Sequence, residues 1–471
     1  MDRLAALAIS LAAVLGATQA QIQRVDDYVE AEMRLNGIPG VSIAIAEEGR
    51  VSHLRAFGMR SVETGQPMSV DTPVELASVS KSLTALAVLE LERAGALGRD
   101  SVATSFLPEL DGGTWRGVTV RDLLRHRSGL RRKHDFLVPC CGHLGHLNLD
   151  IAPARLAEAD LVGEPGDHFS YANSNYVLLA AIVERASGVP FPDYMRDGVF
   201  RPLGLQRTTL DPGQARRWDR AERHEWQWGR VRPSPSRALG WYGSSLTKST
   251  ARDMGAYLAA LLAPELVRDN FPTLSSEWWV SLEPHYDQGW TVHAQADWLG
   301  GDLVLEHTGD IWGSNTAVVL APRRRTGVAV LANLDAGRAG PLARSILIAV
   351  NGSPLPQPQK ASVADRPDAW AVAFLAAAAA AFLALGWHGS RVVREVRRGH
   401  RAWDPRGMRI ARSAVLVALG AWLIYRFFGN PGTPHAALPT TVGQALPALV
   451  AGATGLLFLG AVSGLAPKRR A

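Results

Sequence analysis

Ser78-Val79-Ser80-Lys81-Ser82-Leu83-Thr84-Ala85-Leu86-Ala87-Val88-Leu89-Glu90-Leu91 is the stretch on which the reading of this chain turns. Leu83, Leu86, Ala87 and Leu91 recur at helical spacing, so a helix is predicted from about Ser78 to Ala94. Residues three apart share a helix face, which brings the Lys81 amine beside the Ser78 hydroxyl. A hydroxyl at a helix start also feels the positive end of the helix dipole, which favours a developing alkoxide or oxyanion. Taken alone, the same four residues also fit an ordinary helix start followed by a surface lysine.

Upstream, Ile22, Val25, Val29 and Met33 suit an amphipathic helix over residues 22–36, stopped by Gly37 and Pro39. Residues 41–46 and 51–57 read as strands joined by a hairpin turn at Glu48-Gly49. Residues 107–262 read as mostly helical with many loops. The period then changes: residues 302–307, 314–320 and 327–331 are short, rich in Val, Leu or Thr, and bounded by Gly or Pro, which favours strands. A closing helix is predicted over 341–350 and a proline-rich linker over 354–367. Early strands, a helical insert and late strands imply one sheet assembled from both ends of the domain.

Two further clusters carry chemistry. Tyr171-Ala172-Asn173 follows Pro165-Gly166 and precedes an apolar run over 176–183. A tyrosine is a poor base at its usual pKa of about 10, but neighbouring amines favour its phenolate. Asn173 offers both a donor and an acceptor to a substrate amide. His307-Thr308-Gly309 ends a predicted strand: Gly309 allows a substrate to lie along the strand edge, Thr308 suits its carboxylate or carbonyl, and His307 suits tuning of the proton network. The backbone N–H groups of Ser78 and Asp310 are candidates for an oxyanion hole.

In this order, the three clusters resemble those of the penicillin-recognising serine hydrolases, in the branch that holds class C β-lactamases, D-Ala-D-Ala carboxypeptidases, esterases and D-aminopeptidases. The resemblance runs over roughly residues 25–350 and includes Pro39-Gly40-Val41-Ser42, Leu123-Leu124-Arg125-His126-Arg127-Ser128-Gly129-Leu130, Pro202-Leu203-Gly204-Leu205 and Leu331-Ala332-Asn333. It implies an α/β fold of α+β type: an antiparallel sheet flanked by helices, with a mostly helical insert. It further implies Ser78 as an acylated nucleophile, Lys81 and Tyr171 as the acid–base pair, and Asn173, His307, Thr308 and Gly309 as substrate-binding residues. His126 is read as structural. Where lactamase signatures carry K-T-G, this chain has histidine, which turns the expectation toward a carboxypeptidase or esterase rather than dedicated lactam resistance. No cofactor or metal is expected.

The ends of the chain address it to an envelope. Arg3, an apolar run over residues 4–15 and small residues to Ala20 have the layout of a secretory signal, residues 1–20. The hydrolase domain is then 21–352, a linker 353–368, and a membrane region 369–471 with about three transmembrane helices, at residues 369–387, 413–428 and 442–465. The arginine-rich loop between the first two stretches belongs in the cytoplasm, which leaves the catalytic domain on the extracytoplasmic side of a bacterial cytoplasmic membrane. That loop also holds much of the surplus behind the net charge of +6, so nucleic acid is not an expected partner. The expected partners are a small-molecule or peptide substrate and the membrane. Only Cys140 and Cys141 occur, too few for a disulfide framework, and their neighbours His134, His143 and His146 match no metal-ligand spacing. Tryptophans from Trp218 to Trp312 suit either core packing or the wall of an apolar pocket. A reading from another class is a non-catalytic receptor or scaffold that recognises a wall fragment, favoured by a tail larger than a tether requires.

Overall fold

A computed structural model describes residues 18–138, 149–234, 240–263 and 285–361, with scattered positions between 376 and 399. The chain divides into two compact units, Met1–His224 with Ala238–Ala361, and Glu225–Arg237 with Ser362–Ala471. The described part of the second includes most of a two-stranded hairpin, His224–Gln227 with Arg230–Pro233.

The first unit is built on an eight-stranded sheet. Helix α1 (Gln19–Asn36) ends at Gly37 in the left-handed region, as the sequence predicts. Strands β1 (Gly40–Glu47) and β2 (Arg50–Ser61) follow, and Glu48 and Gly49 both take positive φ, the turn geometry that matches the twist of a tight hairpin. A short β3 (Gln66–Pro67) leads to helix α2 (Ser80–Arg93). The insert supplies α3 (Asn173–Ser187) and α4 (Ala251–Leu262). The remaining strands are β4 (His285–Asp287), β5 (Trp290–Ala296), β6 (Asp302–Ile311), β7 (Ser314–Ala321) and β8 (Thr326–Ala332), before α5 (Ala339–Val350) closes the unit. The sequence reading missed the β4–β5 hairpin and the short β3, whose strands His285–Asp287 and Gln66–Pro67 are too short to show a period.

The strand order is β3-β2-β1-β8-β7-β6-β5-β4, and every pairing is antiparallel. Val41 pairs with Ala332 and Ile45 with Val328, so the first and last strands of the unit lie side by side at the sheet's centre. All residues of β1, β7 and β8 are buried, as expected for strands covered on both faces. Ala44, Ala46, Val318, Leu320, Ala329 and Leu331 join one core with α2, α3 and α4. Their alternates, including Ile43, Ile45, Val328 and Val330, face the other side, where α5 and α1 pack.

The proline-rich segment is less free than a linker. Gln359 N–H donates to Glu32 Oε1 (2.8 Å), Ala361 N–H to Asn36 Oδ1 (2.6 Å), and Asn36 Nδ2 to Gln359 O (3.0 Å), pinning it along α1. Glu32, fully buried, also accepts both Arg338 Nε and Nη2. The predicted signal falls almost entirely outside the described residues, as do the cysteine pair and nearly all of the three apolar tail stretches. Among the described residues no helix is long and apolar enough to cross a membrane.

Candidate active site

Ser78 sits in a 3₁₀ turn, Ala77–Val79, that feeds directly into α2. The turn is bent: Ala77 holds φ 48, a conformation that L residues adopt only under local constraint. Strand β6 supplies that constraint. A Cβ on Gly309 would stand 2.1 Å from the Leu76 carbonyl oxygen, so glycine there lets the strand run against the backbone just before the serine. Thr316 Oγ1 donates to the same carbonyl (2.7 Å) and Ser314 Oγ to Glu75 O (2.9 Å), so β7 ties down the approach as well.

Helix α2 is nearly all buried, which commits Lys81 to the interior although lysine is almost never placed there without partners. Its Nζ lies 3.1 Å from Ser78 Oγ, 2.8 Å from Asn173 Oδ1 and 3.0 Å from Ser244 O. Loss of solvent lowers the amine to a pKa of about 7, offset in part by the Asp135 carboxylate. A large fraction is therefore a neutral base near neutral pH.

Tyr171 closes the group from the opposite side. Its hydroxyl is hydrogen bonded to Ser78, and its ring centroid lies 4.9 Å from Lys81 Nζ. Burial is the largest influence on its phenol and pushes its pKa up, more than the Ser78 bond lowers it. The phenolate expected from the sequence is thus disfavoured, and the uncharged phenol is the resting form. The structure brings Ser78, Lys81, Tyr171 and Asn173 to one point, from two separate stretches of chain.

His126 holds that loop in place rather than joining the group. Its φ of 54 turns the chain, its carbonyl accepts from Ser170 N–H (2.8 Å), and its Nδ1 faces both Asn175 Nδ2 (3.0 Å) and Ala172 N–H (3.4 Å). Its ring packs 4.3 Å from the Tyr171 ring and 4.6 Å from the Tyr286 ring. Burial lowers its pKa well below the usual histidine value, so it is neutral.

His307, expected to line the groove and tune the proton network, lies on β6 with its ring inside the protein. It is buried, its Nδ1 lies 2.6 Å from Thr308 O and its Nε2 3.0 Å from the Tyr286 hydroxyl. With a carbonyl on one side, Nδ1 carries the proton and Nε2 accepts from the phenol, so both nitrogens are engaged by the protein. Burial lowers its pKa to about 3, and Lys81 adds to the effect. Thr308 and Asp310, by contrast, are exposed on β6, and the Asp310 carboxylate accepts from Asn315 Nδ2. Trp241 comes near through its Nε1–H, which donates to Val138 O, whereas Trp290 is core, stacked on Tyr257.

Sequence reasoning missed Asp135, Ser244, Tyr176 and Tyr286. Ser244 acts through a backbone carbonyl and carries no side-chain signal. Among the described residues no group of histidine, cysteine, aspartate or glutamate side chains is placed to hold a metal ion.

Residues 25–351 match the family described as Beta-lactamase. The chain is 26% identical to Protein flp of Staphylococcus aureus (strain MW2) over 322 residues, 66% of this chain and 63% of that protein. It is 35% identical to Penicillin-binding protein 4* of Bacillus subtilis (strain 168) over 172 residues, 36% of this chain and 37% of that one. The chain thus spans a little under two thirds of the length of the first and about a third of the second. Among solved structures, the octameric penicillin-binding protein homologue from Pyrococcus abyssi superposes with a TM-score of 0.61 at 25% identity, covering 76% of this chain and 81% of that one. The D-alanine carboxypeptidase AmpC from Burkholderia cenocepacia shares the fold, with a TM-score of 0.57 at 23% identity, covering 71% of this chain and 99% of that one.

Proposed function

The chain belongs to the Beta-lactamase family, and from that premise we propose that it is a serine hydrolase of the penicillin-binding and carboxypeptidase type, acting through an acyl-enzyme on Ser78. The observation that carries this reading is the buried Lys81 amine, 3.1 Å from the serine hydroxyl with its pKa lowered to about 7. In acylation the neutral amine takes the Ser78 proton as Oγ attacks the substrate carbonyl. The N–H groups of Ser78 and Asp310 receive the oxyanion. As the tetrahedral intermediate collapses, the bond to the leaving nitrogen or oxygen breaks and the Tyr171 phenol supplies its proton, replaced in turn from the lysine ammonium. Water then attacks the acyl-enzyme with the same groups in reverse order.

The neutral, doubly engaged His307 supports a substrate whose recognition on β6 runs through Thr308 and backbone rather than through a fixed cation. D-amino-acid peptides and esters fit this better than a dedicated lactam substrate. The signal-like residues 1–20 and the apolar tail support action at the extracytoplasmic face of a bacterial membrane, with the tail as tether.

A fluorescent penicillin or fluorophosphonate probe tests the nucleophile. The full chain and Ser80→Ala should label, and Ser78→Ala should not; label that survives Ser78→Ala removes the proposal. A substrate panel of D-Ala-D-Ala peptides, short-chain esters and cephalosporins then assigns the acyl group, with Ser78→Ala as blank. Acylation without turnover on any of them makes the protein a receptor instead.

A further inference from the structure

Asp135 belongs to no motif. It lies in the 3₁₀ turn Arg132–Leu137, within the charged run Arg131-Arg132-Lys133-His134-Asp135, yet its side chain is buried. Its Oδ1 accepts the Ser174 N–H (2.8 Å) and the Ser174 hydroxyl (2.7 Å), and its Oδ2 accepts Asn173 Nδ2 (3.2 Å). The residue at the N-cap of α3, Ala172, has no side-chain oxygen and makes no capping bond. Asp135 therefore caps that helix from a different segment, where the unsatisfied N–H groups and the dipole favour an anion.

The consequence reaches Lys81. A side-chain amide has a donating end and an accepting end. With Nδ2 held on a carboxylate, Oδ1 of Asn173 must face the lysine, where it lies at 2.8 Å. The reversed amide would set C=O against the carboxylate and, whenever the lysine is charged, NH₂ against the ammonium, both repulsive contacts. The groups facing Lys81 are Ser78 on its own turn, the Tyr171 ring at 4.9 Å and Asn173, the Ser244 carbonyl at 3.0 Å, the Tyr176 ring of α3 at 5.8 Å, His126 after the helix Val120–Leu124, and His307 on β6. Lysine charge disfavours protonation of both histidines, and Asp310 and Arg132 act on Tyr171. Asp135 is the group that favours the lysine's charged form.

We propose that Asp135 is a positioning residue: it fixes which end of the Asn173 amide meets Lys81, and it places a negative charge one side-chain amide away from the buried amine. This rests on Lys81 as the base of the proposed hydrolase. The test is the pH profile of the acylation rate in the full chain, read with the fluorescent penicillin. In Asp135→Asn the acid limb moves to lower pH by about one unit, because a carboxylate that favoured the ammonium is gone, and the maximal rate falls because the amide is free to turn. Ser174→Ala, which keeps the charge and the Asn173 bond, leaves the limb in place. An acid limb unmoved in folded Asp135→Asn, or moved equally in Ser174→Ala, overturns the proposal. Should Asp135→Asn fail to fold, Asp135→Glu decides: the charge is kept but displaced by one methylene, and acylation falls by roughly tenfold or more at its optimum, whereas a rate equal to the parent's overturns it. A parent chain that does not acylate at all instead defeats the functional reading itself.

Discussion

Lys81 is placed where solvent cannot help it, and its chemistry follows from that. An amine titrating near 7 is a usable base at neutral pH, whereas an exposed lysine is almost wholly protonated there. The acylation rate should therefore rise through about pH 7 and level off above it, measured by stopped-time labelling of the full chain. Lys81→Arg should lose the reaction at every pH, since a guanidinium does not deprotonate. The buried histidines act on stability with a definite sign. His126, His224 and His307 all have folded pKa values below the ordinary 6.5, with His307 near 3. Their contribution is complete above about 6.5 and is lost as pH falls toward the folded values, because the unfolded chain then binds more protons. The melting temperature should drop between pH 7 and pH 5, and His307→Gln should make that drop shallower. At this scale the serine, lysine, tyrosine and asparagine were legible from their types and spacing. The fixed state of His307 was not, because it depends on Tyr286, which lies in a hairpin with no motif of its own.

Elements place these side chains by close approach rather than by length. Strand β6 reaches the serine turn only because Gly309 lacks a side chain. Gly309→Ala sets a methyl group 2.1 Å from the Leu76 oxygen, so β6 or the turn must move. About 2–4 kcal/mol of stability should be lost in urea unfolding, with acylation slowed by roughly tenfold or more as the serine shifts. A Cβ on Gly289, in the β4–β5 turn, would likewise stand 2.5 Å from Ser82 Cα. The sequence shows these glycines but not what they approach. The same limit explains why α1, the β1–β2 hairpin and the three late strands were readable from period and turn residues. The short strands His285–Asp287 and Gln66–Pro67 carry too few residues to show alternation. Asp135 sat inside a charge run that reads as a solvated surface, and only tertiary packing buries it.

At the scale of the molecule, the domain is held shut by its two ends. Glu32 on α1 and Arg338 before α5 form a buried pair, and the same carboxylate receives the backbone of Gln359. Glu32→Ala leaves Arg338 buried without its anion and should cost about 3–5 kcal/mol in thermal or chemical unfolding. It should also open the segment near residue 359 to protease, which an Asn36→Ala variant reproduces more weakly. The proposed membrane tether is checked separately: the full chain should sediment with membranes, and a chain ending at residue 361 should not. Composition made the tail conspicuous, while the clasp was invisible because it joins residues more than three hundred positions apart.

A sheet whose middle is the meeting of its first and last strands has an order of events built into it. Until the segment ending at Ala332 emerges, Gly40–Glu47 has a neighbour on one edge only, and until residues 302–321 emerge the turn at position 78 has no strand behind it. Such long-range closure is slow compared with local helix formation. A chain released early, or clipped before its final third, is thus not a weakened catalyst but an incomplete one, with an apolar strand edge open to whatever it meets. The working pocket comes into being when the late strands, residues 302–332, arrive.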